Sequence, residues 1–183
     1  DGKNSSQHER DAITFLMQLR CDAIMIYPKY LSVEELDAII DQSSVPGVAI
    51  NRELKRHRAR SVFVDHHACS VQMTRYLLEQ GHRRIAFITG APGSPTGERR
   101  LAGYLDAQAE AGITPDAALV VPGTWTTESG YEAGRALLAA GIPFTCVLAA
   151  NDDMAIGAAK AFSEAGLRLP DEVSLAGFDD SII

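Results

Sequence analysis

Short apolar runs alternate with amphipathic stretches along nearly the whole chain. Residues 9–20 (ERDAITFLMQLR) place Ile13, Leu16, Met17 and Leu19 near helical spacing, and 22–27 (DAIMIY) reads as a buried strand. Ser32 followed by Glu35 forms a capping box that opens a helix to about Asp41, stopped before Pro46. Strands at 47–50 and 61–64 follow, separated by the basic loop NRELKRHRAR, and a helix over 69–80 ends at Gly81. The pattern then restarts. A strand is predicted at 84–89 (RIAFIT), a Gly- and Pro-rich loop after it, and a helix from about Arg99 to Ala111 closed by Gly112. Next come a short strand at 119–121, a helix from Thr127 to Ala140, a strand at 144–149 (FTCVLA), a helix over 152–165 and a last strand at 173–176.

Strands alternating with helices of this length imply right-handed crossovers, hence an α/β fold with parallel sheets flanked by helices on both faces. The strands lack polar alternation, as sheets covered on both sides require. In such sheets ligands bind outside the carboxyl ends of the strands, so each loop following a strand becomes a candidate.

Four of these loops carry recognisable chemistry. RIAFIT is followed by GAPGSPTGERR with Ser94, Thr96, Arg99 and Arg100; strand 119–121 by PGTWTTESG with Trp125, the one tryptophan of the chain. FTCVLA leads into Ala150, Asn151, Asp152 and Asp153, and VSLA into Gly177, Phe178, Asp179 and Asp180. Guanidinium, amide and carboxylate groups offer paired donors and acceptors for vicinal hydroxyls, and an indole face stacks on a pyranose. Together they read a sugar. Taken singly, each has a plainer explanation: Asn151, Asp152 and Asp179 as helix caps, Trp125 as packing, Arg100 as a surface ion pair.

Composition narrows the classes. With 46% hydrophobic and 22% charged residues in 183, the chain is that of an ordinary globular protein. No run approaches a membrane span and no signal-peptide pattern opens it. A net charge of −7 argues against binding nucleic acid through bulk charge. Cys21, Cys69 and Cys146 are odd in number and far apart, which disfavours a disulfide framework and fits a reducing, cytoplasmic setting. The polar start without Met, and an end just after VSLAGFDDSII, lead us to expect a fragment of a longer chain.

Competing motifs are weaker. Asp65-His66-His67 with Cys69 suggests a metal-dependent phosphoesterase, but no Asp-x-Asp or His-x-Asp cluster precedes it, so no metal is expected and a solvent-facing loop is the simpler reading. Residues 90–99 lack the Lys-Ser/Thr pair of a phosphate loop. Arg52, Lys55, Arg56, Arg58 and Arg60 include no interleaved aromatic residue and read as a solvated loop rather than a phosphate contact. Gly-x-Ser-x-Gly is absent and no residue set carries enzyme chemistry, so neither an enzyme nor a cofactor is expected.

The segments QGHRRIAFITG, ERRLAGYLDAQAEAGI, GTWTTESGYEAGRALL and AANDDMAIGAAKAFSEAGLRLPDEVSLAGFDD resemble the LacI/GalR family of bacterial transcriptional regulators, in the effector-binding core that is similar to periplasmic sugar-binding proteins. CDAIMIYPKYLS with AINR looks most like the galactose-repressor branch. The resemblance implies two Rossmann-like lobes, incomplete at both ends: 1–80 as part of the N-terminal lobe and 81–183 as most of the C-terminal lobe. It also implies a helix-turn-helix and hinge helix that this sequence does not contain, a homodimer, and operator DNA as partner. A small-molecule effector in the inter-lobe cleft would control DNA binding allosterically. By motif, Arg100 stands at the effector-binding arginine, Trp125 at the stacking position, Asn151 at the amide, Asp179 at the hydroxyl-binding carboxylate, and Thr96 at a position used in some members. Met154 and Ala158 would face a dimer partner. Asp65-His66 departs from the family's usual Asp-Asn. A periplasmic sugar-binding protein of a transport system is the alternative with the same site logic.

Overall fold

The computed structural model describes residues 5–19 and 21–181. Arg20, the expected end of the first helix, and Ile182 and Ile183 at the end of VSLAGFDDSII lie outside them. The chain forms two compact units, Asp1–Val64 and Asp65–Ile183.

The first unit runs through α1 (Ser6–Gln18), β1 (Ile24–Ile26), α2 (Val33–Gln42), β2 (Gly47–Ile50) and β3 (Ser61–Val62). Helix α1 begins earlier than the apolar spacing suggests because the Ser5 hydroxyl accepts the His8 amide at 3.1 Å. The capping box at Ser32 and Glu35 is present. The three strands pair in parallel in the order β1-β2-β3. Ile24, Ile26 and Ala49 bury one sheet face against Ile13 of α1 and Leu36 and Ile40 of α2. On the opposite face Met25 and Val62 are 76% and 63% exposed. The expected two-sided cover therefore does not extend to this sheet among the described residues: both helices join one core.

Polar groups tie the loops of this unit. The buried Glu9 carboxylate accepts the Lys29, Tyr30 and Leu31 amides at 2.8, 3.1 and 3.0 Å. Glu9→Ala would strip three N–H groups of their acceptor, and we expect it to lower unfolding free energy by about 2 kcal/mol or more. Urea unfolding followed by circular dichroism checks this; an unchanged midpoint would show that the loop is held otherwise. The basic loop lies against α2 carboxylates: Lys55 pairs with Glu34 at 2.5 Å, Arg56 with Asp41 at 2.8 Å, and Asp37 accepts the Lys55 amide at 3.1 Å. Its charge is largely spent within the unit.

The second unit contains α3 (His66–Glu79), β4 (Ile85–Ile88), α4 (Pro95–Glu110), β5 (Val120–Val121), α5 (Thr127–Ala140), β6 (Cys146–Ala149), α6 (Asp152–Glu164) and β7 (Ser174–Ala176). Its parallel sheet has the order β5-β4-β6-β7. Right-handed crossovers with that order place α4 on one face and α5 and α6 on the other, and β4 and β6 are buried throughout. Tyr104 of α4 stacks on Phe87 at 4.8 Å and donates to the Ile85 carbonyl at 2.7 Å; burial pushes its hydroxyl up to about 12.

Three expectations change here. Helix α3 starts at His66 rather than Cys69, because the Asp65 side chain caps it by accepting the Ala68 amide at 3.0 Å. That helix, assigned above to the first lobe, belongs to the second unit: the Ser70 hydroxyl donates to the Arg100 carbonyl at 2.6 Å, and Gly103 packs on the His67 carbonyl. The units divide after Val64, not after residue 80. Met154 and Ala158 are fully buried and pack on α5, so they do not face outward. The cause is the closeness of α5 and α6. A Cβ on Gly157 would lie 2.0 Å from the Thr127 carbonyl oxygen, and one on Gly130 2.1 Å from that of Met154.

Candidate functional site

In the sheet order the chain leaves β4 toward β5 on one side and returns to β6 on the other, which makes the β4–β6 junction the topological switch point. Four of the five candidate residues are connected around this edge.

Arg100, in the second turn of α4, is 8% exposed. Its Nη1 donates to the Ala150 carbonyl at the end of β6. Its guanidinium lies over the Phe178 ring, 4.4 Å from the centroid. Nη2 faces Asp179 Oδ1 and His66 Nδ1, each at 3.5 Å, and Nε has no partner. This is no surface ion pair. A buried guanidinium with a free donor is a group waiting for an acceptor.

Asn151 serves two purposes. Its Oδ1 accepts the Met154 amide at 3.0 Å and caps α6, while its Nδ2 donates to the Trp125 carbonyl at 3.0 Å. The capping explanation holds for this side chain, and its amide nitrogen ties the same cap to the Trp125 turn. Trp125 sits at φ 72°, a left-handed backbone that a bulky residue rarely adopts. The Asn151 bond holds the carbonyl of that unusual turn. Its half-buried indole rests on backbone: Gly90, after β4, would place a Cβ 2.1 Å from Trp125 Cζ2, and Gly97 in α4 one at 3.3 Å. Only glycine at 90 lets the ring lie there.

Asp179 follows β7 at φ 108°, its side chain 48% exposed. Burial raises its carboxyl above the ordinary aspartate value; Arg100 works against that rise, and Asp152 and Asp153 add to it. The sign follows. A raised folded value means the group contributes stability below the unfolded value, near 3.9, and loses that contribution as pH climbs through the folded value. Asp179→Asn should therefore raise the urea midpoint at pH 7 and not at pH 3; an equal change at both would contradict the cause given. Thr96 lies in the first turn of α4, four residues before Arg100 and so on the same helix face, half-buried. Among the described residues no His, Cys, Asp or Glu group could hold a metal. Asp65 caps α3, His66 turns to Arg100, and His67 pairs with Asp106 at 2.7 Å, so the three side chains diverge.

Sequence reasoning missed Phe178, Gly90 and His66. Phe178 stands inside the GFDD motif and could have been found there. Gly90 carries no pattern that reveals its contact, and His66 was visible only within the disfavoured metal motif and as a departure from the family's Asp-Asn.

A doubly wound α/β unit with a polar and aromatic rim at its switch point has the architecture in which ligands bind at the strand ends. The chain matches the periplasmic binding protein-like domain family over residues 74–183. It is 49% identical over its whole length to the HTH-type transcriptional regulator AscG of Escherichia coli (strain K12) and 36% identical to GalR of the same organism, covering 54% and 53% of them. A crystal structure of a sugar-binding transcriptional regulator (LacI family) from Escherichia coli, complexed with phosphate, superposes with a TM-score of 0.94 at 49% identity, over 100% of this chain and 66% of that one. The chain belongs to the LacI/GalR family, in its periplasmic-binding-protein-like domain. It spans about half the length of the curated relatives it matches.

Proposed function

We propose that the chain is the sugar-sensing part of a LacI/GalR-type transcriptional regulator, a binding module rather than an enzyme. The observation that carries this reading is the rim of the second unit, where Arg100, Asp179, Asn151 and Trp125 are joined through Ala150 and Phe178. Asp179 and Arg100 would hold vicinal hydroxyls, Trp125 would offer its free indole face, Asn151 would fix that ring's turn, and Thr96 would border the same side. The sugar-binding regulator of similar structure supports this ligand class, and the HTH-type relatives support a regulator over a transport protein.

In the whole protein, operator DNA would be bound by a helix-turn-helix outside these residues, in a cytoplasmic homodimer. Among the described residues no helix is long and apolar enough to cross a membrane. Sugar and DNA would alter each other's affinity by the same factor, about 1–3 kcal/mol in systems of this kind.

Trp125 is the only tryptophan, so tryptophan fluorescence excited at its red edge, beyond tyrosine absorption, reports on this residue alone. Titrating the chain with a panel of mono- and disaccharides should give a saturable change for at least one. Silence across the panel, with calorimetry equally flat, would overturn the sugar reading.

A further inference from the structure

Arg100 carries a buried charge whose partners are uneven. Nη1 is committed to the Ala150 carbonyl and the ring of Phe178 lies beneath the guanidinium. Nη2 is shared between two acceptors, Asp179 Oδ1 and His66 Nδ1, both at 3.5 Å. A desolvated guanidinium depends on the acceptors it keeps. These two are not alike. Asp179 is about half exposed on an irregular segment, and is the group a sugar hydroxyl would compete for. His66 is 8% exposed and is the first residue of α3, whose start is fixed by the Asp65 cap and whose Ser70 grips the Arg100 backbone. One acceptor is free to turn away; the other is built in.

We propose that His66 is a positioning residue of this site, whose imidazole Nδ1 accepts from Arg100 and keeps the guanidinium aimed while Asp179 turns to the ligand. Nδ1 can accept only when the ring is neutral and carries its proton on Nε2. A protonated ring offers no lone pair and sets a second cation beside the first. Ligand affinity therefore falls in acid as that ring takes up its second proton. Among the charged groups, Arg100 of α4 reaches His66 Nδ1 and, through the same nitrogen, Asp179 after β7, which Asp152 and Asp153 influence; Asp65 and His67 adjoin His66 in sequence, Arg99 lies near Asp65, and Asp106 pairs with His67. His67 is paired with Asp106 and serves as the control.

The ligand arm rests on the sugar-binding reading, so the test has an arm that needs no sugar. In the chain labelled with ¹⁵N-arginine, the Arg100 Nε–H resonance, assigned by its loss in Arg100→Lys, should shift with pH through the imidazole range. His66→Asn keeps an acceptor near the Nδ1 position but cannot titrate, and should abolish that shift, whereas His67→Gln should leave it. A transition that vanishes in Asp179→Asn belongs to Asp179 instead, whose carboxyl burial raises. In calorimetry with D-galactose, D-glucose and cellobiose, whichever binds should do so about tenfold more weakly at pH 5.5 than at pH 8 in the parent chain and equally at both in His66→Asn. His66→Leu should bind about tenfold more weakly at both. An Arg100 resonance that titrates alike in the parent and His66→Asn, or parental affinity in His66→Leu, overturns the proposal. If none of the three sugars binds, the panel decides the sugar reading and the resonance decides the role of His66.

Discussion

Replacing Arg100 with Ala should abolish measurable sugar binding while leaving the fold in place. The guanidinium is the one group that touches three parts of the rim, through Ala150, Phe178 and Asp179. A hydrogen bond to a charged group is worth about 1.5–3 kcal/mol, so losing even one to the ligand weakens affinity by roughly ten- to a hundredfold. The truncation also frees Asp179 from its pairing with Arg100 and leaves the Ala150 carbonyl without the Arg100 donor. Those changes misplace the remaining contacts, so the loss should exceed that of a single bond. Calorimetry on a sugar found by the panel, with circular dichroism to confirm folding, decides it. Unchanged affinity would place the ligand elsewhere.

The second large effect is on stability. Gly157→Val should cost about 3 kcal/mol or more, because a Cβ there meets the Thr127 carbonyl oxygen at 2.0 Å, the Tyr131 amide nitrogen at 2.6 Å and the Gly130 carbonyl carbon at 3.0 Å. All three are backbone atoms of α5, and none can rotate away as a side chain would. Helix α6 would have to move off α5 and take part of the core of Met154, Ala158 and Phe162 with it. Thermal unfolding should show a drop of about 6 °C or more for a domain of this size. A midpoint within a degree of the parent would mean that the two helices can separate at no cost.

Periodicity was enough to find the strands and helices of the second unit, since β4, β5 and β6 are continuous apolar runs and α3 to α6 each end beside a glycine. Boundaries were less legible where a polar side chain sets the start. Ser5, Asp65 and Ser94 each cap a helix that begins before its apolar face does. The division between units was misread for a related reason: α3 ends at a glycine, which looks like a boundary, yet its inner face matches α4, and only tertiary contact reveals that. At the site, Arg100, Asn151, Trp125 and Asp179 were accessible because strand ends converge in this fold. The seat of the indole on Gly90 and the approach of His66 to Arg100 join residues 35 and 34 apart in sequence. No local pattern encodes such pairings. The one-sided core of the first unit was hidden too, because Met25 and Val62 are as apolar as residues that a helix would cover.

The touching backbones of α5 and α6 have a bearing on recognition. The N-terminal ends of these two helices carry Thr126, adjoining Trp125, and Asn151, and with Gly130 and Gly157 holding the shafts together neither end can drift alone. Under the proposed sugar-sensing function, an arriving molecule would meet a prearranged template here, so little conformational freedom would be surrendered on this side when it docks. Selectivity among epimers would then rest on fit to a fixed outline, with discrimination present before contact is made.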